Sequence, residues 1–397
     1  MARFSLLDSR KEGVRYFPHM AQKTPKQILS AFKKTGARIE TKGRVKLKAM
    51  SDLSLYYTPG VGVASEHLSL HPEDAVNLSV KKNSVAVISD GSAVLGLGNI
   101  GPYGALPVME GKALIFKEFA GIDAWPIVLD TQDPDEIVRT VLAIAPGWGG
   151  INLEDIAAPQ CFEIERRINE ALPIPVMHDD QHGTSIVVLA GLLNAAKVAK
   201  KSFEGLRVVV SGAGAAGYAV AMLLGAAGIT DIVAVDRKGA IYKNRPDLPP
   251  HKKELALLNT HKRKGSLEDV LVDADVFIGL SGKGLLQAED VRTMAPRSIV
   301  FAMANPVPEI MPDEAKRAGA LVIATGRSDF PNQINNALVF PGVFRGALDH
   351  RVRVITQEMK LKAARALAAL VKTPTVTKII PDIFDRRVVP TIAKTIR

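Results

Sequence analysis

Two patterns of apolar spacing divide the chain. In the first half, short apolar runs end abruptly in charge. Ser84–Ser89 is a β-branched run that predicts a buried strand, closed by Asp90-Gly91. Ala124–Leu129 predicts a second strand, and Ile151-Asn152-Leu153 predicts a strand end before Glu154-Asp155. Ile174–Met177 predicts a buried strand ending at His178-Asp179-Asp180. Between these, Lys26–Lys34, Asp135–Ile144 and the Ala- and Leu-rich Thr184–Lys200 predict helices. Thr58-Pro59-Gly60 is a turn signal, and the glycine-rich stretch Gly96–Gly104 predicts a loop.

The texture changes near Phe203. Leu206–Val210, Asp231–Val235, Val276–Leu280, Ser298–Met303 and Ala320–Thr325 repeat a compact buried-strand pattern, with helical or loop segments such as Gly217–Gly228 between them. Strands alternating with helices predict a parallel sheet covered on both faces. Helical spacing returns over Ile355–Leu370, and a Pro-punctuated tail follows through Pro390. The fold expected is α/β. An N-terminal α/β domain spans 1–185, and a Rossmann-like doubly wound parallel sheet spans 186–350. Helices in 351–397 pack back on the first domain.

Composition narrows the class. The chain has 397 residues, 47% hydrophobic and 23% charged, which is ample for sizeable cores. No uninterrupted apolar stretch has membrane length, and the first thirty residues lack an apolar signal core, so no membrane or secretory role is expected. The single Cys161 fits a reducing, cytoplasmic setting and reads as buried packing. The net charge of +10 is unevenly placed. Residues 1–50 carry thirteen Lys or Arg against three Asp or Glu, and residues 351–397 carry eleven against three, so the middle is acidic. No zinc-finger spacing, basic zipper or RNA-binding aromatic signature accompanies these ends. They read as solvated surface that steers an anionic substrate rather than as a nucleic-acid site.

The most informative motif follows the strand at 206–210. Gly212, Ala213, Gly214, Ala215, Ala216 and Gly217 form G-x-G-x-x-G between a predicted strand and helix. The glycines allow a tight turn, close approach of a pyrophosphate, and close strand–helix packing. Asp236 ends the next strand, 24 residues after Gly212, where an acid would bind ribose hydroxyls. Its carboxylate favours NAD, while Arg237 and Lys238 suit the 2′-phosphate of NADP, so both cofactors stay open.

Two acidic pairs, Glu154-Asp155 and Asp179-Asp180, end separate strands. Strand ends on one sheet edge can bring both pairs together as oxygen ligands for Mg2+ or Mn2+. Adjacent acids also serve as caps or exposed faces, and spacing alone does not choose between these readings.

Seven blocks together resemble the malic enzymes. They are Leu55-Tyr56-Tyr57-Thr58-Pro59-Gly60-Val61, Asp90-Gly91 through Gly96-Leu97-Gly98, Pro107-Val108-Met109-Glu110-Gly111-Lys112, Asn152-Leu153-Glu154-Asp155, His178-Asp179-Asp180-Gln181-His182-Gly183-Thr184, Ala304-Asn305-Pro306, and Asn332-Gln333-Ile334-Asn335-Asn336. The blocks stand in family order, the resemblance as a whole spans about residue 25 to residue 390, and the length resembles the short prokaryotic form. The resemblance implies oxidative decarboxylation of L-malate to pyruvate and carbon dioxide, with reduction of NAD or NADP. Lys112 matches the general base and Tyr57 the general acid. Glu154, Asp155 and Asp180 match metal ligands, and Asp179 an acid that orients Lys112 or the metal shell. Asn305 and Asn336, with Asn335 beside them, match groups that bind the substrate carboxylates, and Asn305 also lies toward the cofactor. A lysine base is expected to need a lowered pKa, from desolvation or nearby positive charge. A homodimer is implied, with Tyr57 serving its own site or its partner's. His178 and His182 read as structural hydrogen-bonding groups.

Three positions depart from the family pattern: Ser92-Ala93-Val94 carries no substrate-gripping arginine, Asn99 replaces a common aspartate, and Ser211 replaces a common asparagine. Two rival readings remain. One is a malolactic-type enzyme with no net cofactor reduction. The other is a catalytically silent dinucleotide-binding regulator.

Overall fold

The computed structural model describes residues 23–94, 96–246 and 248–397. The start of the basic N-terminal stretch, the expected absence of a signal core there, and Leu95 of the glycine loop lie outside them. Residues up to Arg38 form one unit and Ile39–Arg397 another. In the first unit, helix α1 (Pro25–Thr35) begins with a capping box from Thr24 and Gln27 and ends at Gly36.

In the second unit, helices α2 (Met50–Tyr56), α3 (Gly60–Leu70) and α4 (Ala75–Leu78) lead into the first sheet and bury no residue. There follow β1 (Ser84–Ser89), α5 (Gly101–Ala120), β2 (Asp123–Val128), α6 (Pro134–Ile144), β3 (Gly150–Leu153), α7 (Gln160–Ala171), β4 (Val176–His178) and α8 (Asp179–Ala199). The strands pair in parallel in the order β2-β1-β3-β4. β1, β3 and β4 are buried throughout, which explains their near-continuous apolar sequence.

The second sheet contains β5 (Arg207–Ser211), α9 (Ala215–Ala226), β6 (Asp231–Asp236), β7 (Gly239–Ala240), α10 (Pro250–Leu258), α11 (Leu267–Leu271), β8 (Val276–Gly279), α12 (Ala288–Thr293), β9 (Ile299–Ala302), α13 (Pro312–Arg317) and β10 (Val322–Thr325). Its order is β10-β9-β8-β5-β6-β7, parallel except for the short antiparallel β7. This is the doubly wound order of dinucleotide-binding sheets, with its switch point between β5 and β8. Helices α14 (Phe340–Asp349), α15 (Gln357–Ala369) and α16 (Val388–Ala393) close the chain. α14 packs on α5, and α15 packs on α8, so the C-terminal helices return to the first half.

Two local expectations need correction. The pair Asp179-Asp180 is not a strand end. β4 stops at His178, and both acids occupy the first turn of α8, which starts five residues before the expected Thr184. Free N–H groups and the helix dipole favour acids at that position. The stretch Gly96–Gly104 is not loop throughout, because α5 begins at Gly101 with Pro102 at its first turn. α8 is long and apolar enough to cross a bilayer, yet 72% of its apolar window is buried among the protein's own elements. The expected boundary at 185/186 falls inside it.

Candidate active site

The first sheet brings the acids together because its strands are parallel and their C-terminal ends share one edge. Glu154 and Asp155 follow β3, and Asp179 and Asp180 follow its neighbour β4. One carboxylate oxygen each from Glu154, Asp155 and Asp180 lies within 4.8 Å of the others. The Asp155 backbone is left-handed, with φ 53°. Its N–H donates to Asp180 Oδ2 at 2.8 Å, tying the end of β3 to the first turn of α8.

Lys112 enters from α5, which packs against β1 and β2. Its Nζ lies 2.5 Å from Glu154 Oε1 and 2.5 Å from Asp179 Oδ2. The lysine is 7% exposed, and Phe340 of α14 lies against the ammonium at 4.5 Å. Asn152 Nδ2 donates to the other Glu154 oxygen at 2.9 Å. Gly183 explains why Asp179 fits here, since a Cβ at that position would sit 1.8 Å from Asp179 Oδ1. Asn336 abuts the same glycine, which places it beside this cluster.

The charges do not balance. One ammonium faces four carboxylates, with Asp90 a further buried acid at the end of β1. Burial and crowding raise Glu154 and Asp180, and lift Asp179 to about 7. Burial alone would lower Lys112, but Asp179, Glu154 and Asp180 outweigh it and hold the ammonium above its ordinary range. The described side chains surround Lys112 with negative charge, so they do not themselves supply the positive charge that the expected lowering requires. Among the described residues, Asp179 Oδ1 and Asn152 Oδ1 are buried without a hydrogen-bond partner. A surplus of buried carboxylates with unspent oxygen acceptors is the chemistry of a hard divalent cation site, so the residues present fit Mg2+ or Mn2+.

The histidines differ. His182 is hydrogen-bonded to Glu165 and Lys360, at 3.0 and 2.9 Å. His178 is fully buried, with Nε2 3.8 Å from Asp180 Oδ2, and burial drives its pKa down to about 4. Burial would raise Glu165, but His182 and Lys360 hold it down to about 2. Glu165 and Asp90 were not expected. Glu165 sits in an amphipathic helix pattern, and Asp90 enters the sequence reading only as the close of the first strand and as part of a family block.

Tyr57 caps the end of α2 and is 64% exposed. Among the described residues, no hydrogen bond joins its hydroxyl to Lys112, Glu154 or Asp179. Asn335 spends its side-chain oxygen capping Ala337 N–H at 2.9 Å, so its NH2 group remains to donate. Asn305 follows β9. The loops after β8 and β9 are held by Glu309, whose buried carboxylate accepts from Ser281 N–H at 3.1 Å and Ala304 N–H at 3.0 Å.

In the second sheet, Gly212 ends β5 with φ 110°, and Gly214 caps α9. Gly217 must lack a Cβ, which would sit 1.7 Å from Gly212 O. Gly214 opens on free space, and Ala215 and Ala216 form the first turn of α9, as a pyrophosphate site requires. Asp236 lies at the end of β6 but is already engaged. Arg245 donates at 3.0 and 2.5 Å, and Lys252 at 2.6 Å. Burial would raise it, yet these cations hold it below the usual carboxylate range.

A doubly wound sheet of the dinucleotide-binding order, beside a buried lysine–carboxylate cluster, fits the class of nicotinamide-dependent dehydrogenases. Residues 36–169 match the family model of the malic enzyme N-terminal domain, and residues 181–396 that of the malic enzyme NAD-binding domain. The chain is 55% identical to the NAD-dependent malic enzyme of Geobacillus stearothermophilus over 91% of its length and 76% of that protein's. It is 53% identical to the bifunctional malic/malolactic enzyme of Bacillus subtilis, over 93% and 91%. The crystal structure of the NAD-dependent malic enzyme from Thermotoga maritima superposes with a TM-score of 0.90 at 46% identity, covering 93% of this chain and 98% of that one. This chain belongs to the malic enzyme family.

Proposed function

We propose that the chain oxidises L-malate with NAD or NADP and decarboxylates the product, giving pyruvate and carbon dioxide. The observation that carries this reading is Lys112, buried between Glu154 and Asp179 at 2.5 Å from each, beside the three-carboxylate cluster. Glu154, Asp155 and Asp180 would hold the cation. When bound, the cation supplies charge that neutralises the carboxylates, favours a neutral lysine and polarises the malate C2 oxygen, while the nicotinamide supplies the hydride acceptor.

Lys112 accepts the proton of the C2 hydroxyl as C2 is oxidised. Asp179 positions its nitrogen. Asn305 and Asn336, with the Asn335 NH2 group, bind the substrate carboxylates. After carbon dioxide leaves C3, Tyr57 gives C3 a proton. The proton gained by Lys112 equals the one lost by Tyr57, so transfer from one to the other resets the site. Gly212, Gly214, Ala215, Ala216 and Gly217 cradle the cofactor pyrophosphate, and Asp236 faces the ribose. The proposed domains are 1–185, 186–350 and 351–397, with α8 running across the first boundary.

The active form is proposed to be a homodimer. Leu55, Tyr56, Tyr57 and Val63 on α2, α3 and the turn between them are 60%, 51%, 64% and 74% exposed, an apolar face that a second copy would cover. Tyr57 then reaches Lys112 of the partner. Mixing Tyr57→Phe with Lys112→Ala protein tests this. A shared site restores about a quarter of wild-type activity, since half of the random dimers carry one intact site of two. No recovery after demonstrated subunit exchange places Tyr57 in its own site. The substrate is a small dicarboxylate, with no nucleic acid or membrane involved, and the single buried thiol Cys161 supports a cytoplasmic setting.

The Bacillus subtilis relative's printed name keeps a second product in view. Returning the hydride to bound pyruvate would give lactate without net cofactor reduction. Product analysis separates the two: pyruvate with one reduced nicotinamide per malate supports the proposal, and lactate with none supports the malolactic reading.

A further inference from the structure

Glu165 is a charge on the wrong face of its helix. α7 buries Cys161, Ile164 and Ile168, and Glu165 lies among them, 8% exposed. A buried carboxylate is costly unless its oxygens are satisfied. Here they are satisfied by three donors from one corner of the chain. Glu165 Oε1 accepts the His178 backbone N–H at 2.8 Å. Oε2 accepts Gln181 Nε2 at 3.1 Å and His182 Nε2 at 3.0 Å. These donors straddle Asp179 and Asp180: one residue precedes the pair and two follow it.

Lys360 completes the arrangement from α15. Its Nζ lies 2.9 Å from His182 Nδ1. An ammonium has only hydrogens to give, so Nδ1 accepts, and the neutral ring must carry its hydrogen on Nε2. Lys360 thereby fixes the tautomer that donates to Glu165.

We infer that Glu165, supported through His182 by Lys360, is a positioning residue that clamps the β4–α8 corner and so sets the place of Asp180 in the cation site. This rests on the reading that Glu154, Asp155 and Asp180 bind a divalent cation. The leverage is geometric. Mg2+ accepts oxygen ligands only near 2.0–2.1 Å, so a shift of a few tenths of an ångström at a ligand costs affinity. Asp180 Oδ2 also accepts the Asp155 N–H, so a loosened α8 start disturbs two ligands at once. A cavity of about 250 Å³, lined by Glu165, His182, Lys360, Arg166 and Asn169, lies beside the clamp. Neutral replacements of similar length therefore meet no steric barrier.

The test uses the full chain, stripped with chelator and titrated with Mn2+. Free Mn2+ is read by electron paramagnetic resonance, and NADH binding is read in parallel by fluorescence. Glu165→Ala is expected to weaken Mn2+ binding by about 10–100-fold, the range for groups that orient metal ligands, with NADH affinity unchanged. Lys360→Met is expected to weaken it less, and Glu165→Gln, which keeps an acceptor for the His178 N–H, to retain part of the affinity. Wild-type Mn2+ affinity in both Glu165→Ala and Lys360→Met overturns the clamp while leaving the cation site intact. Equal losses of Mn2+ and NADH affinity also overturn it, because they report a general structural defect. Failure of the wild-type protein to bind Mn2+ overturns the cation reading and the clamp together. If Glu165→Ala does not fold, Glu165→Gln and Lys360→Met decide by the same criteria.

Discussion

Two acidic corners of the molecule carry opposite charge balances. At the edge of the first sheet, Glu154, Asp155, Asp179 and Asp180 gather around one lysine, and carboxylate pKa values rise. At the end of β6, the single Asp236 sits between Arg245 and Lys252, and its pKa falls. Each corner places acid at the end of a buried parallel strand, paired in the first and single in the second. The surrounding cations set the two apart. The first corner is electrostatically incomplete and suited to receive a divalent cation. The second is complete, with positive charge to spare beside the place where a nucleotide ribose would lie.

The sharpest way to break the first corner is to remove Lys112, its only cation among the described residues. Lys112→Ala is expected to lower kcat by about 10²–10⁴-fold, the usual range for a general acid–base group, with NADH binding retained. Removing a ligand comes next. Asp180→Asn is expected to weaken Mn2+ binding by about 100-fold or more, at or above the upper end for residues that merely orient ligands. Chelator should abolish turnover of the wild-type protein, and added Mn2+ should restore it.

The second corner predicts a smaller effect of a different kind. Asp236→Asn leaves two cations facing the ribose site with less negative charge between them. Preference should move toward NADP by on the order of tenfold, the worth of one charge-assisted hydrogen bond. Comparing kcat/KM for the two cofactors checks this. An unchanged ratio would show that Asp236 serves only to fasten Arg245.

The smallest effect concerns stability against pH. The folded-state pKa of Asp236 is depressed from its ordinary value of 3.8, so its contribution is present above that value and is lost as pH falls below it. The side chains are 10–23% exposed, so the pair network is worth about 1–2 kcal/mol rather than the larger figure for fully buried pairs. Urea unfolding near neutrality and in strong acid should show that extra acid sensitivity in the wild type and not in Asp236→Asn.

Much of the architecture was legible because buried parallel strands leave a strong local signal. β1, β5, β6 and β8 are compact apolar runs, and Gly212, Gly214 and Gly217 announce the strand–helix turn that joins β5 to α9. The two acid pairs were legible as neighbours through the parallel-sheet argument, though His178-Asp179-Asp180 hid a helix start. An apolar strand running straight into a helix leaves no turn residue to mark the boundary. Long-range pairing was not legible. Arg245 and Lys252 reach Asp236 from nine and sixteen residues further on. Lys360 reaches His182 across 178 residues. Glu165 gave no signal, since a charge in an amphipathic helix is ordinarily solvated, and only the fold turns it inward. The exposure of Tyr57 was equally invisible, because it depends on what α2 fails to pack against.

The most direct test of the central claim follows the absorbance of reduced nicotinamide with L-malate, Mn2+ and NAD or NADP, in wild-type protein and Lys112→Ala. The account predicts Mn2+-dependent reduction of at least one cofactor, matched by pyruvate, that collapses in the variant. No reduction with either cofactor in folded, Mn2+-supplied wild-type protein, or an undiminished rate in Lys112→Ala, would contradict it.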